Sequence, residues 1–220
     1  PTDILDVAAG NGIASFAFAK SGFNVTSVEP DISSTLGRKA IQTICEKGNV
    51  SINIIDSYGE NLPFPDSSFD VVYIRQGLHH AENLKSMLKE FNRVLRDNGV
   101  LISCRDHVIN NRNKSLKLFL SKQVDHQLYG GENAFVLKEY IKSITEAGFE
   151  IMQKIGPYDS PINLFPITKD VILERIKENS FGKFVSLLLP PSIILFIVFT
   201  IFKLFLVIIF LFLKNLVNES

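Results

Sequence analysis

The sequence has no surplus of charge of either sign. Lys and Arg together number 23, Asp and Glu number 23, and the formal net charge is zero. A protein built to grip phosphates along nucleic acid shows a basic surplus, so nucleic acid is not expected as a partner. Cysteine is scarce. Cys45 and Cys104 stand far apart and outside any Cys-x-x-Cys pattern, which suits a reducing compartment and excludes a cysteine-type structural zinc. Histidine is scarce as well. The 4 His have no metal-site spacing, so no metal is expected. There are no internal repeats, and no Met begins the chain: it opens at Pro1, with a strand pattern already under way at Asp3.

What is abundant is apolar sequence at one end. Composition shifts near residue 184. From Ile193 to Leu213 only Thr200 and Lys203 interrupt the apolar run. At about 1.5 Å per residue a helix of that length spans roughly 30 Å, the thickness of a bilayer core. Its apolar side chains contribute roughly −6 to −11 kcal/mol to insertion, and a central Lys opposes this by about 3 kcal/mol. The apolar residues encircle such a helix, unlike an amphipathic surface helix. A membrane partner through 193–213 is therefore expected. Lys203 would be accommodated by pairing within an oligomer or by a re-entrant path. Phe184–Leu189, cut off by Pro190-Pro191, reads as an interfacial foot or half of a hairpin.

The first 155 residues alternate between strand and helix patterns. Strands are expected near 3–8, 24–29, 51–56, 69–75 and 99–105, with a sixth over 149–155. Helices are expected near 12–21, 33–47, 82–96 and 137–147, with Ser33 capping the second and Gly148 ending the last. Continuous apolar strands separated by helices mean a parallel sheet covered on both faces. Between β-type Ile4-Leu5-Asp6-Val7 and the first helix lies Ala8-Ala9-Gly10-Asn11-Gly12. Such a turn lets the backbone approach a ligand at a helix N-terminus, and a nucleotide-like ligand is the usual occupant. Asn24–Glu29 ends in an acid about twenty residues on, where a carboxylate takes ribose hydroxyls.

Two further runs complete the set: Glu60-Asn61-Leu62-Pro63-Phe64-Pro65-Asp66-Ser67-Ser68-Phe69-Asp70-Val71-Val72, and Arg93-Val94-Leu95-Arg96-Asp97-Asn98-Gly99-Val100-Leu101-Ile102. In this order and spacing they closely resemble the class I S-adenosylmethionine (SAM) dependent methyltransferases of the ubiquinone/menaquinone methyltransferase-like type, over roughly residues 3–155. The resemblance implies an α/β, Rossmann-like, doubly wound fold with a mostly parallel sheet, here followed by a C-terminal hydrophobic helical tail. It implies a SAM-binding domain over 1–160, with a polar lid over 106–135 that is partly helical from Lys114 to Gln123. A helical linker over 161–183 and a membrane-associating tail over 184–220 follow. Because the family places a helix before the first strand, the N-terminus is expected to be truncated.

The same resemblance assigns roles. Asp6 helps fix the methionine amino group, and Ala8, Gly10, Asn11 and Gly12 approach the cofactor. Here Ala8 stands where the family most often has its first Gly. Glu29 takes the ribose diol bidentately, a carboxylate being the natural double acceptor. Ile32 or its neighbour flanks the adenine, and Pro30 and Gln76 are further cofactor-binding candidates. The family's Gly-Asp-Ala-Glu run is replaced by Ser57-Tyr58-Gly59-Glu60, so Asp56 is the candidate substitute near the adenine. Asp66 and Asp70 read as turn and strand-edge residues. Where the methyl acceptor needs its proton removed, the candidates are His79 and His80 after the fourth strand, and Asp106 and His107 (with Arg105) after the fifth; Tyr129 and Glu132 in the lid are further ones.

The acceptor is expected to be a small molecule or a lipid-linked molecule, methylated at O, N or C. The catalytic domain should lie at the cytoplasmic face of a membrane, where SAM is made. Two other function classes are compatible with the Gly turn. A membrane-tethered scaffold without catalysis would not need an intact Gly turn and Glu29. An NAD(P)-dependent oxidoreductase would want a third Gly where Ser15 stands, and the Tyr-x-x-x-Lys pair of short-chain enzymes is absent.

Overall fold

Ile4, Leu5 and Val7 are apolar and buried, and they make Asp3–Val7 the central strand, β1. The computed structural model describes residues 1–121 and 133–156. Around β1 run α1 (Ile13–Lys20), β2 (Asn24–Val28), α2 (Arg38–Gly48), β3 (Asn53–Ile55), β4 (Phe69–Arg75), a 3-10 turn (Leu78–His80), α3 (Leu84–Val94) and β5 (Leu95–Cys104). Beyond these come β6 (Val108–Ile109), α4 (Arg112–Leu120), β7 (Phe135–Val136) and α5 (Leu137–Glu146). The five strands of the main sheet pair in the order β3-β2-β1-β4-β5, all parallel. Residues 1–152 form one compact unit.

The chain crosses the sheet in both directions from β1. Strand order therefore reverses between β1 and β4, and the carboxyl ends of these strands form the crevice where such sheets take ligands. The larger core lies on one face, where Leu5, Val7, Val72 and Ile74 cluster with Leu88, Phe91 and Val94 of α3 and Tyr140 of α5. Register puts Ser27, Asp6 and Tyr73 in one row across β2, β1 and β4 on the opposite face. There α1 covers the row: Ser15 donates to Asp6, and the Phe18 ring meets Tyr73 edge-on with centroids 5.2 Å apart.

Helix ends follow from local chemistry. Gly148, at φ 97°, closes α5 as expected; its N–H reaches Thr145 O, and the Phe149 N–H reaches Ile144 O. That paired pattern satisfies the last free carbonyls. The expected 33–47 helix instead starts at Arg38. Asp31 is the reason: its carboxylate accepts from the Ser33 N–H and hydroxyl, Ser33 Oγ accepts from the Leu36 N–H, and the Arg38 N–H closes on Asp31 O. Side-chain acceptors thus hold 31–37 as a loop before the helix can begin, and Ser33 caps a turn rather than α2.

The expected strand over 149–155 does not form. Phe149 packs on the core, but beyond it Met152 is 87% and Ile155 54% exposed, so the apolar alternation has no face to bury. The expected 99–105 strand begins at Leu95, with the Asp97-Asn98-Gly99 turn retained as a register irregularity opposite Phe69 and Val71. Within 106–135 the described residues hold β6, α4 and β7, the two short strands pairing in parallel. The helix expected over 114–123 runs instead from Arg112 to Leu120. Tyr129, Glu132, the linker 161–183 and the tail 184–220 lie outside the described residues. Among the described residues, no helix is long and apolar enough to cross a membrane.

Candidate functional site

The site begins where β1 runs out. Ala8, Gly10 and Gly12 all take positive φ, at 53°, 56° and 77°. At Gly12 a Cβ would lie 2.9 Å from the Ile41 side chain as well, so both conformation and space require glycine. Ala8 holds a left-handed conformation that costs an L-residue on the order of 1 kcal/mol. Asn11 Oδ1 faces the Ile13 N–H at 3.4 Å at the start of α1.

Glu29 stands at the mouth of this turn, at the end of β2. Its Oε2 accepts from the Gly10 N–H at 2.7 Å and its Oε1 from the Asp31 N–H at 2.9 Å. Each oxygen keeps further acceptor capacity, because a carboxylate offers about four lone-pair sites. The residue is 7% exposed; burial raises its pKa, against the lowering effect of the two amides. Arg38 fixes the backbone of the same segment: its Nη1 lies 2.8 Å from Glu29 O and from Pro30 O, and 2.7 Å from Asp56 Oδ1. Asp56 is thereby tied to the β2 end while remaining solvent-exposed. Ile32, which follows Glu29-Pro30-Asp31 in sequence, is 58% exposed, with Leu36 at 62% and Tyr58 at 68%.

Asp6 is 2% exposed and lies deeper. Ser15 donates its hydroxyl to Asp6 Oδ2, and Ser27 donates its own hydroxyl to Ser15 Oγ at 2.8 Å. Burial pushes the Asp6 carboxyl up to about 6, with Ser15 opposing and the Glu29 charge assisting. Tyr73, in register on the other side of Asp6, is pushed up by burial first and by its hydrogen bond with Cys104 second.

The β4 end meets the Gly turn directly. Gln76 is exposed at φ 52°, its N–H bonded to Cys104 O. A Cβ on Gly77 would lie 2.7 Å from Ile74 Cγ1 and 3.0 Å from Ala8 Cβ, so this glycine lets the two turns touch. His79 follows, 1% exposed. Its Nδ1 lies 3.1 Å from Asp106 Oδ1, which also accepts from the His79 N–H at 3.2 Å; Asp106 Oδ2 accepts from Ser103 at 2.7 Å. The exposed His80 ring lies over His79 with centroids 4.1 Å apart, and His107 lies 4.3 Å from His79 and 4.8 Å from Phe119. The β4 and β5 ends thus bring His79, His80, Asp106 and His107 together. Their sequence separation gave no sign of the stack itself.

Other acids serve the framework. Arg93 donates to Asp66, Glu90, Leu62 O and Phe64 O, clamping the Leu62–Asp66 loop onto α3. Asp70 accepts from the Asp3 N–H and pairs with Arg96. Ser15, Ser27, Arg38 and Tyr73 were not legible as site residues. Hydroxyls and an arginine at unremarkable helix and strand positions carry no spacing signal.

Residues 5–103 match the methyltransferase-domain family. An uncharacterised protein of Methanocaldococcus jannaschii is 34% identical over 139 residues, covering 63% of this chain and 62% of that protein. The ubiquinone/menaquinone biosynthesis C-methyltransferase UbiE of Burkholderia mallei is 36% identical over 97 residues, covering 44% of this chain and 40% of UbiE. The chain thus spans 62% and 40% of the length of these two relatives. The crystal structure of the YcgJ protein from Bacillus subtilis superposes with a TM-score of 0.59 at 20% identity, covering 81% of this chain and 78% of that one. At that identity the likeness shows the fold: Rossmann-like, with the mostly parallel sheet of class I methyltransferases.

Proposed function

We propose that the protein is a SAM-dependent methyltransferase whose acceptor is a small or lipid-linked molecule met at a membrane, a reading supported by the match of residues 5–103 to the methyltransferase-domain family. The observation that carries the reading is Glu29, whose two carboxylate oxygens are each oriented by a backbone amide, Gly10 on one side and Asp31 on the other. A carboxylate so held is pre-organised for two adjacent hydroxyls, and little orientation remains to be lost on binding.

The residues present fit SAM at each of its ends. Glu29 suits the ribose diol, and the exposed Ile32 offers an apolar surface for the adenine. Asp6 suits the amino group, and the positive-φ turn Ala8–Gly12 permits close backbone approach. Bound there, SAM supplies a methyl group already activated on a sulfonium, so alignment supplies much of the rate.

Where the acceptor must lose a proton, His80 is the exposed imidazole of the cluster. His79, clamped by Asp106 and in ring contact with both His80 and His107, holds it in place. The membrane part of the proposal rests on the apolar run Ile193–Leu213. Supply of SAM from the cytosol supports a catalytic domain on the cytoplasmic side.

Calorimetry with SAM and tritiated-methyl transfer to membrane extracts test the activity. His80→Ala is expected to lower kcat by about 10²–10⁴-fold with SAM affinity kept, the signature of proton transfer. His79→Ala should lower kcat too, with a changed pH profile. Near-normal kcat in both variants moves the base to Asp106 or His107, or shows that none is needed.

A further inference from the structure

The row Ser27, Asp6, Tyr73 under α1 is polar where the rest of the sheet centre is apolar, and its members are not on the surface. Ser15 and Ser27 are fully buried and Asp6 nearly so. Burying two hydroxyls and a carboxyl beneath a helix is unfavourable unless they are paired. Here they are paired in one direction: Ser27 Oγ–H to Ser15 Oγ, and Ser15 Oγ–H to Asp6 Oδ2. The chain links β2, α1 and β1, the three elements that frame the Gly turn. Both hydroxyl protons point toward the carboxylate, the arrangement that favours its charged form.

We propose that Ser15, backed by Ser27, is a positioning residue that orients and keeps ionised the Asp6 carboxylate, and so makes capture of the cofactor's amino group depend on the ionisation of Asp6. The proposal rests on the reading above that Asp6 meets that amino group. Few charged or titratable groups face Asp6 from the elements packed on it. From β2 it is Glu29, whose charge raises Asp6. From β4 it is Tyr73, pushed well above the usual phenol range, with the Cys104 thiol of β5 bonded to the Tyr73 oxygen. Among the described residues, α1 contributes only the Ser15 hydroxyl and amide toward it. No cation is among the causes that set the Asp6 carboxyl, which burial has pushed up to about 6. The hydroxyl chain is thus the main group holding the charge, and the cofactor's ammonium supplies the missing counter-charge.

The sign follows from linkage. Asp6 goes from 3.8 to about 6 on folding, so the folded chain binds the extra proton between those values. The folded state is favoured below that window and loses this contribution as pH rises through about 6. Cofactor binding runs the other way, needing the charged form and weakening as pH falls through about 6.

The test is a carboxyl NMR titration of Asp6 in the free protein, together with SAM calorimetry across the same pH range, on wild type and Ser15→Ala. With its donor removed, Asp6 should titrate at higher pH. SAM affinity should be on the order of tenfold weaker near neutral pH and recover at alkaline pH. Ser27→Ala should give a smaller shift in the same direction. An unmoved Asp6 midpoint in folded Ser15→Ala overturns the role of the hydroxyl chain. Asp6→Asn tests the underlying reading separately. Weak, pH-independent SAM binding is expected, and wild-type affinity in that variant overturns the placement of the amino group on Asp6.

Discussion

Glu29→Gln separates geometry from charge at the candidate ribose site. In the wild type two backbone donors converge on one side chain, Gly10 N–H at 2.7 Å and Asp31 N–H at 2.9 Å. A carboxylate satisfies both. An amide has one oxygen and one NH2, so either rotamer sets a donor against a donor. An unmet, nearly buried N–H costs about 1–3 kcal/mol, and the free protein should lose that much stability. Binding suffers in addition, because the diol loses its ionised acceptor, a hydrogen bond worth about 1.5–3 kcal/mol. SAM affinity should therefore fall about 10- to 150-fold. Denaturant melts measure the first quantity and calorimetry the second. A SAM analogue lacking the 2′-hydroxyl closes the cycle: it should bind the wild type more weakly, and it should lose less than SAM does in Glu29→Gln, since the two changes share one of the two hydrogen bonds. Unchanged SAM affinity in a folded Glu29→Gln protein, or full additivity with the analogue, refutes the reasoning.

Two more changes probe other parts of the molecule. Gly77→Ala places a methyl 2.7 Å from Ile74 Cγ1 and 3.0 Å from Ala8 Cβ; it should destabilise by about 1–3 kcal/mol and weaken SAM binding by displacing the Gly turn, as melts and calorimetry would show. Deleting 184–220 should move the protein from the membrane pellet to the supernatant with SAM binding retained, because the cofactor turn lies in residues 3–29. A full-length protein that stays in the supernatant without detergent counts against the tail as an anchor.

The sequence by itself determined most of the framework. Apolar runs such as Ile4–Val7 and Phe69–Arg75, broken by turn residues and followed by periodic helices, admit little besides a parallel sheet covered on both faces. Gly10, Gly12 and Glu29 were legible because chain geometry demands them: two positive φ values and an acid one strand away. Gly148 was legible for the same reason, as the stop of α5. The start of α2 was not, because the outcome depended on Asp31 capturing Ser33 and the Arg38 amide, a competition that propensity does not weigh. Nor was the absence of a strand over 149–155, since alternation predicts a strand only where a ladder partner and a face to bury are available.

Only the tertiary structure decided which polar residues work together. Ser15, Ser27 and Asp6 meet because β1 and β2 pair in register and α1 crosses above them. His79 finds Asp106 because β4 and β5 end side by side. Arg38 reaches Glu29, Pro30 and Asp56 because α2 starts between two strand ends. Periodicity reports whether a residue is buried or exposed along its own element. Hydrogen-bond partners are set by distances across elements, and these exist only once the chain has folded.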